Sequence, residues 1–287
     1  MFVSSTGCQL KSFIPISSAS GHEKKHFVAL ASAGLLFATC STADEERRRK
    51  KLLQRADELY DNYLVENVYN GLHPQKHKKD PEILWRLARA TCELAKQSQK
   101  HAKAERKELM YQAWGYIKEA KDLEPPEGIA PLHKWYAILS DYIAEYEGTK
   151  ARIKNAYETK NELERSVELD PKDATTWHVL GVWHYLVADM PAWKRRLAGL
   201  IFAEPPQSSF QEALACFQKA EQLDPGFYSR NLLYLAKTLL ALNRDEEAVR
   251  LLEKCYALPI MTPDEREAHE EAGHLLYQKG KLNRVSV

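Results

Sequence analysis

Two short patterns constrain this chain more than anything else in it. Trp177, Leu180 and Gly181 stand in W-x2-L-G spacing with His184 three further on, and Ala213, Phe217, Ala220 and Pro225 follow at intervals of 4, 3 and 5. These are the first-helix and second-helix halves of a helical-hairpin repeat. The halves are too far apart. In an uninterrupted repeat about 16 residues separate the tryptophan from the first alanine, but here the separation is 36, so about twenty are inserted. Most of the insert is 189–206, DMPAWKRRLAGLIFAEPP.

Three further pairs carry the same tetratricopeptide spacing, irregularly. The first has Trp85 and Cys92, then Ala113, Ile117, Ala120 and Pro125. The second has Trp135, Leu139 and Tyr142, then Leu163 and Pro171, and the fourth has Leu232, Leu235, Ala236 and Leu239, then Ala248, Leu252 and Cys255. The first and second pairs are longer than standard between their helices by about 12 and about 8 residues. Asp170-Pro171 and Asp224-Pro225 end helices where a repeat should end, because proline lacks the amide and restricts the residue before it. Thr262-Pro263-Asp264-Glu265 is a capping signature for a last helix to about Lys279 that covers the open end of the stack. The expectation is an all-α, tetratricopeptide-like helical-hairpin solenoid over 44–281, with an inserted helical segment, a capping C-terminal helix and a tail at 282–287. Only 12 Gly and 13 Pro in 287 residues agree with it.

Ahead of the solenoid, residues 1–43 read as a leader. Residues 1–26 are rich in Ser and hold no acid before Glu23, which predicts no packed structure. Phe27–Cys40 is a run of fourteen mostly apolar residues, short of the roughly 20 that span a bilayer. A signal-peptide core, a mitochondrial targeting segment, a marginal membrane anchor and a disordered leader all remain open for it. From Thr42 the pattern turns helical, carrying Arg47-Arg48-Arg49-Lys50-Lys51 on a solvated face and continuing to about Val68. The segment His73–Lys79 reads as a linker, and Asp80 caps a new helix that has Pro81 in its first turn.

Forty-one Lys and Arg against forty Asp and Glu leave a formal +1, so no global field calls for nucleic acid. Five scattered cysteines without C-x-x-C argue against a disulfide framework and a zinc site, and favour a reducing compartment. Positions 5, 9 and 12 of each first helix should line a concave groove. They are Arg86, Ala90 and Glu93; Tyr136, Ser140 and Ile143; His178, Val182 and Tyr185; and Leu233, Lys237 and Leu240. This mostly aromatic and aliphatic set lacks the Lys and Asn donors of a carboxylate clamp, so it suits an apolar ligand, an amphipathic helix or peptide, or a lipid tail. Within the insert, Trp193, Leu197, Leu200 and Ile201 form a helical stripe beside Lys194, Arg195 and Arg196, with Phe202 following. That stripe could plug the groove, dock on an acidic surface or bilayer, or simply pack internally.

Enzyme signals are weak. His269 and His274 are five apart, where a zinc hydrolase helix needs four, and there is neither a phosphate loop nor G-x-S-x-G. No cofactor or metal is expected, and His133, His178 and His184 read as core or groove residues.

The segments Ile83–Ala90 (ILWRLARA), His133–Ile138 (HKWYAI), Tyr146–Gly148 with Lys154–Tyr157, Leu169–Thr175 (LDPKDAT) and Met190-Pro191 through Phe202-Ala203 resemble the regulator of microtubule dynamics family. The resemblance spans 45–280 and is most specific over Asp170–Pro225. It implies a non-enzymatic adaptor associated with microtubules and spindle poles in the cytoplasm. It implies, as an alternative, a lipid-binding module at mitochondrial membrane contacts, as in one member of the family. That member's transmembrane segment and receptor-binding motif are not evident here. Tubulin tails are acidic, and Arg47–Lys51, Lys76–Lys79 and Lys194–Arg196 are the runs that could meet them.

Overall fold

The computed structural model describes residues 23–97, 103–202 and 206–281, and packing divides the chain into Met1–Leu52 and Leu53–Val287. Residues 1–22 of the expected leader and the tail at 282–287 lie outside the described residues. Helix α1 runs Glu23–Asp61, so its backbone is helical well before Thr42. Among the described residues, no helix is long and apolar enough to cross a membrane.

Helix α1 also stops short of the expected Val68. The amide of Leu64 donates to the Leu59 carbonyl (2.9 Å) and that of Tyr63 to Tyr60 (2.7 Å), the pair of bonds that closes a helix in a Schellman turn. The turn needs a left-handed residue, and Tyr63 supplies it at φ 55°, where the sequence offers no glycine to announce it. Helix α2, Val65–Leu72, follows. The expected linker then winds as a 3-10 turn, His73–Lys78, ended by Lys79 at φ 51°. As expected, Asp80 caps the next helix, accepting the Glu82 amide at 3.0 Å.

From there the chain is a series of hairpins. Helices α3 (Pro81–Gln97) and α4 (Lys103–Asp122) pack together, as do α5 (Ala130–Glu147) and α6 (Thr149–Leu169). Helix α7 (Ala174–Ala188) is followed by the insert helix α8 (Ala192–Ile201), and α7 pairs across it with α9 (Phe210–Leu223). Helices α10 (Ser229–Ala241) and α11 (Asp245–Ala257) form the last hairpin, and α12 (Pro263–Gln278) covers both. The fold is the all-α tetratricopeptide-like solenoid that the spacing indicates. The surplus residues of the first two pairs lengthen helices: α3, α4, α5 and α6 have 17, 20, 18 and 21 residues against 13 each in α10 and α11.

The repeat signature does its packing where expected. Gly181 lies so close to Phe217 that a Cβ there would come within 2.7 Å of the ring, so α7 and α9 approach through the one residue without a side chain. Phe217 is fully buried, and Leu163, Leu180 and Trp183 share a neighbouring cluster. Capping boxes start α9 at Ser209/Glu212 and α12 at Thr262/Glu265.

Candidate functional site

The inner edges of α3, α5, α6, α7 and α10 enclose a groove of about 1000 Å³. The start of α12 and the end of α1 complete its wall, with Tyr60, Tyr63, Thr262 and Asp264 among the lining residues. The first and last parts of the solenoid therefore meet. Their contact is an ion pair between Lys96 on α3 and Asp264 on α12, 2.5 Å long and 168 residues apart in sequence.

This closure is a buried polar network. Lys96 also pairs with Glu93 at 3.1 Å, and Glu93 accepts from the Tyr63 hydroxyl at 3.3 Å. Asp264 accepts from the Tyr228 hydroxyl at 3.0 Å and lies 3.6 Å from Arg230. Burial pushes the Asp264 carboxyl up, but Lys96 and Arg230 outweigh it and hold the group below the usual carboxylate range. Burial likewise opposes the charge on Lys96, yet Glu93, Tyr142 and Asp264 around it more than compensate and raise its pKa. Burial raises Glu93, and Lys96 offsets this only in part. Tyr63 is pushed up to about 12 by burial and by Glu93.

The rest of the lining is mixed. Trp135, Ile138, Val179, Val182, Leu186 and Met190 give an apolar stretch, while Asp61, Glu93, Asp141, Glu145, Asp189, Asp264 and Glu265 bring seven acids against Lys96, Arg152, Lys194 and Arg230. Three of those four cations are already engaged: Lys96 as above, Arg152 by Asp141 at 2.6 Å, and Arg230 by Asp264 and, at 3.2 Å, by Glu267. The lining is thus predominantly aromatic and aliphatic, and it carries an excess of acids that the groove positions read from the sequence did not announce.

Several expected groove residues lie elsewhere, each for a visible reason. Of the candidates, Glu93, His178 and Val182 line the groove. On α5 the lining residues are Trp135, Ala137, Ile138, Asp141, Tyr142 and Glu145, most of them about one residue, or roughly 100°, around the helix from the expected face. Tyr136 instead sits 4.9 Å from the Trp114 ring and donates to Glu158 at 3.0 Å, Ser140 accepts from Asn155 at 3.3 Å, and Ile143 is core. Tyr185 packs between Phe210 and Tyr234. On α10 the expected face is covered by α12: Leu233 and Leu240 join its apolar cluster, and Lys237 pairs with Glu271 at 2.6 Å. At the other end Ala90 is buried and Arg86 is held by Asp57 of α1 at 2.7 Å.

Helix α8 does not fill the groove. It packs on α6, burying Ala198, and Phe202 just beyond it meets the Tyr157 ring edge-on at 5.0 Å. Only Lys194 of the helix lines the groove, beside Asp189, Met190 and Pro191. Internal packing fails for its tryptophan too, since Trp193 is 58% exposed. Leu197 is half-buried, and Arg195 and Arg196 are exposed.

The histidines are held by the fold. His133 lies 2.9 Å from Glu124 and 2.5 Å from Glu162, His178 is 3.2 Å from Asn231, and His184 is 2.7 Å from Ser208. His269 stacks on Tyr256 while His274 bonds Gln278. In the first unit, Arg47 and Arg49 lean on Asp44 and Glu46 at 3.7 and 3.4 Å, whereas Arg48, Lys50 and Lys51 are exposed.

A model of the family described as Regulator of microtubule dynamics protein 1-3 matches residues 52–281. The chain belongs to this family. It is 44% identical to Regulator of microtubule dynamics protein 1 of Mus musculus over 227 residues, covering 79% of this chain and 73% of that one. Regulator of microtubule dynamics protein 2 of Mus musculus is 31% identical over 249 residues, covering 82% and 57%. Among solved structures, a thermophilic TPR protein of Thermus thermophilus superposes with a TM-score of 0.51 at 15% identity, over 78% of this chain and 97% of that one. At that identity the likeness concerns the fold alone.

The residues that sequence reasoning missed are those of the closure: Lys96, Arg230 and Asp264. Only Asp264 had a local signal, and it pointed to helix capping.

Proposed function

We propose that this chain is a non-enzymatic adaptor in the regulation of microtubule dynamics, with separate surfaces for the microtubule and for a second protein. The observation that carries the reading is the groove: an apolar stretch inside an acid-rich wall, with Lys96, Arg152 and Arg230 all engaged by carboxylates. Such a wall repels an acidic chain and leaves Lys194 as its one cation without a carboxylate partner among the described residues, short of a clamp for a terminal carboxylate. It favours an amphipathic helix or peptide whose apolar face enters and whose basic residues meet the rim. The acidic microtubule surface is then left to other bases, chiefly the run Arg47–Lys51, of which Arg48, Lys50 and Lys51 are exposed, through contacts that salt screens. Membership of a family named for microtubule regulation supports a role at the cytoskeleton, and a helical-repeat fold suits protein contacts; the adaptor is placed by this reading in the cytoplasm and at the spindle pole.

The test is co-sedimentation of the full chain with microtubules across a salt series. Neutralising Arg47–Lys51 to Gln is expected to weaken binding severalfold and flatten its salt dependence. Unchanged binding would remove the assignment of that run. Native mass spectrometry of protein recovered from cells checks the groove, and a stoichiometric co-purified lipid there would overturn the peptide reading.

A further inference from the structure

Helix α8 presents an unusual surface. Trp193 and Leu200 are 58% and 85% exposed and lie seven residues apart, two turns along one side of the helix. Between them stand Lys194, Arg195 and Arg196, none paired with a carboxylate among the described residues; Arg195 reaches only the Met190 carbonyl, at 3.4 Å. The opposite side is committed, with Ala198 buried against the body. Nothing about α8 serves the helix itself. It has no side-chain cap and no acid in its first turn, and two of its cations sit at the end where the helix dipole disfavours them. By contrast, α9 and α12 both begin with capping boxes and acids.

We propose that the outer side of α8 is a docking surface for an anionic phospholipid bilayer. The charge complementarity is direct, since Arg195 and Arg196 are exposed with the half-buried Lys194 beside them, none with a carboxylate partner among the described residues. The apolar pair selects the partner. An acidic polypeptide would satisfy the cations but offer nothing to take up Leu200 and the Trp193 ring. A bilayer interface accepts both, the leucine among the acyl chains and the indole at headgroup level, while the cations meet lipid phosphates. The helix lies along the surface and does not cross it; ten residues span only about 15 Å. The proposal invokes neither Arg47–Lys51 nor a ligand in the groove, so it stands or falls apart from the adaptor reading.

The experiment is vesicle flotation of the full chain, with Arg47–Lys51 changed to Gln so that this run contributes no binding. Vesicles of phosphatidylcholine alone are compared with vesicles that also contain phosphatidylserine. Binding is expected only to the anionic vesicles, and to fall about tenfold or more both in Lys194→Gln/Arg195→Gln/Arg196→Gln and in Trp193→Ser/Leu200→Ser. Trp193, Arg195, Arg196 and Leu200 are exposed and the half-buried Lys194 has no carboxylate partner among the described residues, so thermal unfolding should be unchanged. Absence of binding to anionic vesicles, or binding that survives both variants, overturns the proposal. So does loss in the charge variant alone with equal competition by polyglutamate, which would make the surface a reader of acidic chains.

Discussion

His178 shows what a single buried residue does in this fold. It is enclosed by Phe217, Tyr228 and Tyr234 and bonds Asn231, whose amide in turn donates to the Phe217 carbonyl at 3.2 Å. Burial, aided by nearby Arg230 and opposed by Asn231 and Asp264, lowers its pKa to about 3. In the unfolded chain the ring titrates near 6.5. The folded value is depressed, so the unfolded state takes up the proton first. The neutral ring's contribution is complete above about pH 6.5 and is lost as pH falls towards 3, at up to about 1.4 kcal/mol per pH unit. His184, lowered by burial, works in the same direction, so the readout is a difference. Urea unfolding between about pH 4.5 and 6.5 should show a smaller slope of stability against pH in His178→Gln than in the parent. Equal slopes would mean that the ring is hydrated in the folded state.

At the scale of elements, the junction of α5 and α6 is the most exacting. A single residue, Gly148, ends one helix and begins the other at φ 97°, ψ 177°, a conformation open essentially to glycine alone. A Cβ there would meet nothing within 4 Å, so any cost of substitution is backbone strain and not crowding. Gly148→Ala is expected to lose about 1–3 kcal/mol in thermal or urea unfolding. A loss within error would show that the junction relaxes to a longer turn. Gly181 is the converse case, where the backbone is ordinary helix and Phe217 leaves no room. Its W-x2-L-G context made that contact legible, whereas Tyr63, which ends α1 in a left-handed conformation, carried no signal because the turn normally recruits glycine.

For the whole molecule the decisive contact is the closure of α3 onto α12. Asp264 is partnered by Lys96, Tyr228 and Arg230, so its removal leaves buried cations undercompensated. Asp264→Asn is expected to destabilise the chain by about 2 kcal/mol or more and to speed amide exchange at the start of α12. Combined with Lys96→Met, the loss should be less than additive, because the two residues share one interaction. Full additivity, with exchange at α12 unaltered, would show that helix packing alone holds the ends of the groove together.

The sequence by itself determined what depends on neighbours along the chain. Tryptophan, glycine and alanine at helical spacing specify hairpins, Asp-Pro pairs end them, and Thr262 with Glu265 starts α12, because these act within one or two turns of helix. Membership of the family was legible in the same local segments. Only the tertiary structure decided which side of each helix faces the groove and where the insert goes. On α5 the face turned to the groove carries Trp135, Ile138 and Tyr142 in place of Tyr136 and Ile143, because packing against neighbouring helices, and not the repeat position, decides which side is covered. The meeting of Lys96 and Asp264 joins residues 168 apart in sequence, a separation at which neither residue's local context carries a signature.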